Sequence, residues 1–462
     1  MNTLRQWIKV FFTHPMILYF FILPVYLPIR MLSEDVSRYH HIMPSAFMRV
    51  DYFIYVFAQV AISGLLLALG SRWVNRIVSK SDVTFISVQR SVAMLVSVAF
   101  IFSTYCLLSP VSYNEMFFAS GLHYFCIAFF ANLVILETKH YVLPVRSENL
   151  ARLINNTVFG INLNLLGMVS FIIMNAFMIF ASIPVYAHFC VLLECAFFAY
   201  LLLIRRYGFY LLNLLRSHKA IFFRSLAGYG LMLLLGVLLS FIASLSVFVI
   251  CVFIPFILGF AYYLFKHFER SNIQAIFTGN VAYGVLVVSI STPIIMLLFD
   301  KSAAYTQLYS RLSTFEPMIS GLFVVLILCL ILKGMITSET RSTYHCLYRG
   351  ASIVVLLPIM AWLLLHHASW LWMLCLFLVY SSTESFTQYG VREIILKSNT
   401  DFEATLLNYY ARMIWQGFVP AVYILVLAIL SRLFSLGDAL FFALSIMAIF
   451  SLGLTFVARR FW

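Results

Sequence analysis

The chain has 462 residues, of which 63% are hydrophobic, 17% aromatic and only 10% charged. A soluble protein keeps about a quarter of its residues charged to cover a wet surface, so a soluble class is excluded and the lipid bilayer is the natural solvent. The formal charge of +13 sits in short stretches between apolar runs. Cytoplasmic loops collect Lys and Arg, so the charge is read as topological, and no nucleic acid is expected as a partner.

The N-terminal stretch MNTLRQWIKVFFTHPM is basic and amphipathic and lacks a small-residue cleavage site, so it reads as a cytoplasmic lead-in to the first span. Apolar runs of about 20 residues, the length that crosses a bilayer as a helix, then recur to the end of the chain. Fourteen spans are predicted: 16–32, 53–70, 91–110, 119–137, 158–181, 185–204, 226–244, 246–266, 278–299, 317–337, 349–366, 369–388, 414–431 and 438–458. The apolar run 226–266 is too long for one crossing and is predicted to turn near Ser244–Ser246. The eight cysteines show no metal-ligand spacing, so neither a disulfide framework, a metal nor a cofactor is expected.

With the N-terminus inside, 24 of the 30 Lys and Arg fall on the cytoplasmic side. The remainder are Arg30, Arg38, Arg49, Lys301, Arg311 and Arg432. This asymmetry follows the positive-inside rule and puts both termini in the cytoplasm. The expected fold class is therefore an all-α polytopic membrane protein of about 14 transmembrane helices. A six-helix bundle over 1–204 is followed, over 205–277, by a basic cytoplasmic loop (RRYGFYLLNLLRSHKAIFFRS), an inserted two-helix hairpin and a further loop. A second six-helix bundle covers 278–462. Paired bundles that rock about a midplane site are a transporter arrangement. No loop is long enough for a soluble catalytic domain, and there is no Walker loop or nucleophile–base motif, so no catalytic residue and no enzyme activity is expected.

The run LPVYLPIRMLSEDVSRYHHIMPSAFMRVDYFIYVFAQVAISGLLLALGSRWVNR has a recognisable rhythm. Leu27-Pro28 lies late in the first span; a short outer segment, a second span with a polar beginning and a basic turn follow. This resembles the major facilitator superfamily, in the fourteen-helix branch that includes drug:proton antiporters. In the basic turn, Asn75-Arg76 stands where that family reads Asp-Arg, and the pair is the expected gating loop. His123 of the fourth span stands about a turn from the position where the family carries an Arg, and YFFILPVYL lacks the antiporters' first-span acid. The resemblance implies alternating access and export of a small amphipathic or drug-like compound, with protons as the candidate coupling ion. It also implies that the second span lines the cavity and that the sixth is peripheral.

An ionisable side chain at membrane depth costs about 3 kcal/mol or more, which makes it a functional candidate by default. Glu194 stands alone in the apolar stretch CVLLECAFFAY of the sixth span, either as a proton or cation site or as a protonated acid bonded to a neighbouring helix. Asp51 opens the second span and shares a helical face with Tyr55 and Gln59. It can serve transport or simply favour its helix N-terminus, and Arg30 is its candidate ion-pair partner. Glu384 lies in YSSTESFTQYG, the most polar helical stretch of the chain. His123, Asn164, Asn280 and Gln416 are further cavity-lining candidates, each weighed against a role as interhelical glue.

The leading reading is a monomeric secondary-active exporter in the bacterial inner membrane, with a small-molecule substrate and the lipid bilayer as its partners. The alternative is a lipid-linked oligosaccharide flippase of an unrelated fourteen-helix type, which would want buried Arg or Lys. Arg30, Lys333 and Arg412 all lie near span ends. A membrane-embedded polymerase or acyltransferase would rest on the outer segment 33–52 alone.

Overall fold

The computed structural model describes residues 50–108, 113–142, 183–242, 246–299, 343–359, 390–430 and 432–459, with 157–158, 161–162 and isolated positions at 15, 17, 18, 362, 379, 383 and 386–388. A backbone in hydrocarbon must satisfy its own hydrogen bonds, which leaves helices as the spanning element for such apolar runs. The helices are α1 (Val50–Val78), α2 (Phe85–Leu108), α3 (Tyr113–Val142), α4 (Ile183–Ala199), α5 (Tyr207–Ser217), α6 (Lys219–Ile242), α7 (Ser246–His267), α8 (Arg270–Phe299), α9 (Thr343–Ile353), α10 (Asp401–Arg412), α11 (Val419–Leu430) and α12 (Leu436–Arg459). Two of them carry π-helical turns, Tyr200–Ile204 after α4 and Met413–Phe418 between α10 and α11. Seven helices among the described residues are long and apolar enough to cross a membrane, and the chain is a multi-pass membrane protein.

Apart from the one at 158–181, the expected spans fall on helices wherever residues are described. The span 317–337, and most of 16–32 and 369–388, lie outside the described residues. The expected turn in the long apolar run falls between α6 and α7, which residues 243–245 separate. Three expectations are corrected. The span placed at 158–181 begins instead as a short antiparallel hairpin, Thr157–Val158 paired with Ile161–Asn162; the rest of that span is outside the described residues. Asn75 and Arg76 are not in a loop, because α1 continues through them to Val78. The segment after the sixth span is not a plain loop, because α5 occupies most of its first half.

The packing centres on α3. Every residue from Ala119 to Lys139 is buried, so this helix has no lipid-facing side. It packs against α1, α2, α6 and α10. α2 in turn packs on α4 and α5, while α8 packs on α9, α11, α12 and the π-turn before α11. α1 touches both sets, contacting α3 and α6 as well as α10, α11 and that π-turn. The α6–α7 pair lies alongside, with α6 against α1 and α3 and α7 against α1 and α8.

Small residues set the α1–α6 distance. A Cβ on Gly228 would stand 2.5 Å from Trp73 Cδ1, and one on Gly70 would stand 2.8 Å from Tyr229 Cδ1. Between these contacts the Tyr229 hydroxyl bonds Ser71 Oγ at 3.2 Å and accepts from Gln89 Nε2 at 2.5 Å. Gly228→Ala is therefore expected to push α6 off α1 and destabilise the protein by about 1–3 kcal/mol, the usual cost of overpacking. A thermal melt in detergent reads this directly; an unchanged midpoint would mean that the Trp73 ring swings aside without cost.

Candidate functional site

Three polar constellations lie within the apolar framework. The first is at the basic end of the molecule, where α3 meets α10. Thr400 caps α10 by a reciprocal arrangement: its Oγ1 accepts from Glu403 N at 3.1 Å, and Glu403 Oε2 accepts from Thr400 N at 3.3 Å. This capping box fixes Asp401 as the first residue of the helix, aimed at the end of α3. Asp401 Oδ2 lies 2.8 Å from His140 Nε2, and its Oδ1 lies 3.8 Å from Lys139 Nζ. One to three turns further along, Asn408 Nδ2 donates to Asn132 Oδ1 at 3.1 Å, and Asn132 Nδ2 donates to Thr405 Oγ1 at 3.3 Å. Arg412 Nη1 donates to the Ala128 carbonyl at 3.3 Å. The spacing 128, 132, 139–140 on one helix and 401, 405, 408, 412 on the other follows the i, i+3, i+4 rule for a single face. The result is a continuous polar seam between two helices separated by more than 250 residues in sequence.

The second constellation is the π-turn Met413–Phe418, which continues the same helix beyond the seam. Single π-turns concentrate at functional sites because they leave backbone and side chains in unusual register. Trp415 packs edge-on against Tyr283 of α8, with ring centroids 5.0 Å apart. Phe418 meets Phe277 of the same helix at 6.1 Å. α1 approaches from the other side, where a Cβ on Gly64 would sit 3.3 Å from Met413 Cγ. Gln416 lies within this turn, and its Oε1 is buried without a hydrogen-bond partner among the described residues. A buried carbonyl oxygen left unpaired carries a desolvation cost of about 1–3 kcal/mol. An N–H or O–H of a bound solute would remove that cost.

The third constellation lies inside the group α2, α3 and α4. Glu194 is fully buried and its Oε1 accepts from Thr104 Oγ1 at 2.6 Å. His123, also fully buried, places Nδ1 3.2 Å from Ser103 Oγ and 3.4 Å from Thr104 Oγ1. Glu194 Oε2 has no hydrogen-bond partner among the described residues. An acid and an imidazole thus share one hydroxyl, an arrangement that can hold and pass a proton.

The residues singled out in the sequence are distributed across these places. Glu194 and His123 come together through Thr104. Gln416 lies in the π-turn, and Asn280 sits on the neighbouring α8 with its Nδ2 donated back to Ile276 O at 2.7 Å. Asn75 and Arg76 lie in the last turn of α1, Arg76 exposed. Asp51, Tyr55 and Gln59 are on the first turns of α1, but their side chains lie outside the described part of the structure, as do Arg30, Asn164 and Glu384 entirely. Asp401, His140, Asn132 and Asn408 were missed. Each lies within or beside a run whose hydropathy dominates, and their meeting depends on pairing helices far apart in the chain. Among the described residues, no group of three His, Cys, Asp or Glu could hold a metal ion.

No protein-family model matches the sequence, and no curated protein matches it. Solved structures do. A proton-dependent oligopeptide transporter superposes with a TM-score of 0.61 at 13% identity, covering 98% of this chain and 98% of its own. A POT family transporter in complex with 5-aminolevulinic acid gives 0.59 at 14% identity, covering 99% and 96%. A proton:xylose symporter of the major facilitator superfamily gives 0.55 at 13% identity, covering 96% and 94%. The chain shares its fold with these solved transporters. At these identities the likeness concerns the fold, and it runs over nearly the whole length of the chain. The matched structures are transporters, not enzymes.

Proposed function

We propose that the protein is a secondary-active transporter that moves a small amphipathic compound across the bacterial inner membrane by alternating access, with protons as the coupling ion. In this reading, residues 1–204 and 278–462 form the two rocking bundles, and 205–277 form the inserted segment. The observation that carries the reading is the polar seam between α3 and α10, on a fold shared with solute transporters. A contact made in one state must be given up in the other at a cost of a few kcal/mol. Hydrogen bonds worth about 1 kcal/mol each net meet that requirement, where a fused apolar core would not. The seam lies at the basic end, which the positive-inside rule assigns to the cytoplasm, so in this reading it is the gate on that side.

Substrate would bind beside the π-turn, against Trp415, Tyr283 and the unpaired carbonyl of Gln416. The aromatic rings suit an apolar body and the amide suits a polar tip. Glu194, with Thr104 and His123, is the proposed proton site. Asp51, Tyr55, Gln59, Asn280 and Glu384 remain candidates for the cavity wall, and export, read from the sequence resemblance, is the proposed direction.

Reconstitution into proteoliposomes tests this. Compounds are presented one at a time, including dipeptides, 5-aminolevulinic acid, xylose and lipophilic amines, and proton flux is followed with a trapped pH-sensitive dye. The expected result is flux driven by at least one compound and reduced at least tenfold by Glu194→Gln. Imposing the substrate gradient first outward and then inward reads the direction. Flux that survives Glu194→Gln unchanged would remove that residue from the coupling step. Solute movement with no proton flux at any pH gradient would remove protons from the mechanism.

A further inference from the structure

The inserted segment carries a surface that the transport reading does not use. α5 is amphipathic in an unusual sense. Tyr207, Tyr210, Leu211 and Leu214 share one face and pack into the bundle, Tyr207 and Leu214 being buried. The opposite face carries Phe209, Leu212 and Arg216, all exposed; Phe209 is 70% accessible and Leu212 is 55%. Water is a poor environment for such an apolar face, and hydrocarbon is a poor one for its arginine.

The neighbouring residues set the level of this helix in the membrane. It follows the sixth span directly, whose last residues Leu202, Leu203 and Ile204 are exposed apolar side chains, as a lipid-facing surface requires. The chain then turns through Arg206, which holds a left-handed conformation with φ of 56°. Beyond α5, the exposed residues His218, Lys219 and Arg224 stand beside exposed Phe223. Trp73, half exposed, donates its indole N–H to the Arg224 carbonyl at 3.3 Å. Tryptophan is enriched where hydrocarbon meets headgroups, so apolar and cationic side chains here alternate along one surface at headgroup depth.

We propose that this surface, formed by Arg206, Arg216, Lys219 and Arg224 with Phe209 and Leu212 between them, binds the headgroups of anionic phospholipids in the adjacent leaflet. The charge is complementary: four exposed cations stand on the surface, and no Asp or Glu occurs between Arg205 and Lys266. The apolar surface is continuous with the lipid-facing side of the span before it. Clusters of Lys and Arg beside a membrane-spanning helix attract anionic lipid, and each contributes about a fivefold gain in binding. The buried face of α5 joins the bundle through Tyr207 and Tyr210, so lipid bound outside would hold α5 against α2 and α3.

The test uses the full-length protein purified in neutral detergent, with dioleoyl-phosphatidylglycerol or dioleoyl-phosphatidylcholine added back. Lipid retention is read by native mass spectrometry and stability by thermal melting. The wild type is expected to retain phosphatidylglycerol at least tenfold better than phosphatidylcholine and to melt several degrees higher with it. Raising the salt to about 0.5 M should shrink the difference, because the Debye length then falls to a few ångströms. The triple variant Arg216→Gln/Lys219→Gln/Arg224→Gln is expected to lose most of the preference. Lys80→Gln, at an exposed position outside the surface, should keep it. The proposal is overturned if the two lipids stabilise the wild type equally, or if the triple variant melts as the wild type does in detergent and still prefers phosphatidylglycerol. None of these readouts involves transport, so they stand or fall apart from the function proposed above.

Discussion

Cross-linking cysteines introduced at Asn132 and Asn408 is expected to arrest transport by at least tenfold, with activity returning on reduction. The two side chains already meet at 3.1 Å, so a short, reductant-cleavable bifunctional thiol reagent can bridge cysteines placed there. The bridge would hold α3 to α10 as the seam does, and on the proposed alternating-access function the two helices must part for substrate to pass. Asn408→Cys alone loses one hydrogen bond and Asn132→Cys alone loses two, at about 1 kcal/mol each, and each should remain active under the same reagent. The assay is uptake or efflux of whichever compound drives flux in proteoliposomes, before and after reductant. A fully bridged protein that still transports would show that α3 and α10 move as one body, and the seam would lose its role as a gate.

The second large effect concerns Glu137. Its carboxylate lies near the basic end of α3, where Arg90 donates Nε to Oε1 at 2.6 Å and Nη2 to Oε2 at 3.1 Å. Arg205 also donates to Oε2, and the Tyr207 hydroxyl donates to Oε1 at 2.7 Å. Arg90 further donates Nη1 to Tyr210 OH at 3.0 Å. Burial, and then the negative charge of Glu137, push the Tyr207 phenol well above its ordinary range, so it stays protonated and donates. Two guanidiniums thus converge on one acid whose side chain is 3% exposed. Glu137→Gln removes the carboxylate that the two guanidiniums share in a poorly hydrated place, and removing one partner of a buried ion pair costs about 3–5 kcal/mol. Tyr207→Phe removes one charge-assisted bond and should cost about 1.5–3 kcal/mol. Thermal or denaturant melts in detergent should therefore rank wild type above Tyr207→Phe and Tyr207→Phe above Glu137→Gln. Equal stability of all three would mean that water reaches the cluster and that it holds α5 only weakly.

The ease with which these features read from the sequence divides along physical lines. Span positions were legible because hydrocarbon imposes a length and a composition on every crossing. Their ends were placed too short, as at α1 and α3, because hydropathy stops where charges begin. Arg72 lies over the Tyr263 ring at 4.8 Å and Arg90 pairs with Glu137, so those charged turns stay helical by finding partners inside the protein. Charges mask α5 in the same way, although Tyr207, Tyr210, Leu211 and Leu214 carry a helical period within that basic stretch. Glu194 was legible as a lone acid in an apolar run. Its partners Thr104 and His123 were not, since nothing local in CVLLECAFFAY points ninety residues back. The seam was the least legible of all: Asn132 and Asp401 look ordinary until the fold brings their helices together.

The burial of α3 on all sides bears on how the protein is made. While the chain is being synthesised, α3 enters the membrane long before α10 exists, because Asn132 and Asn408 are 276 residues apart. At ordinary synthesis rates of 5–20 residues per second, that interval is about 14–55 s. Throughout it, the Asn132 amide and the Lys139 ammonium have none of their α10 partners. Until then α1 and α2 cover part of α3, and its polar face is expected to rest against the insertion machinery or a membrane chaperone. A ribosome stalled before residue 400 should leave that helix open to crosslinking with such a factor.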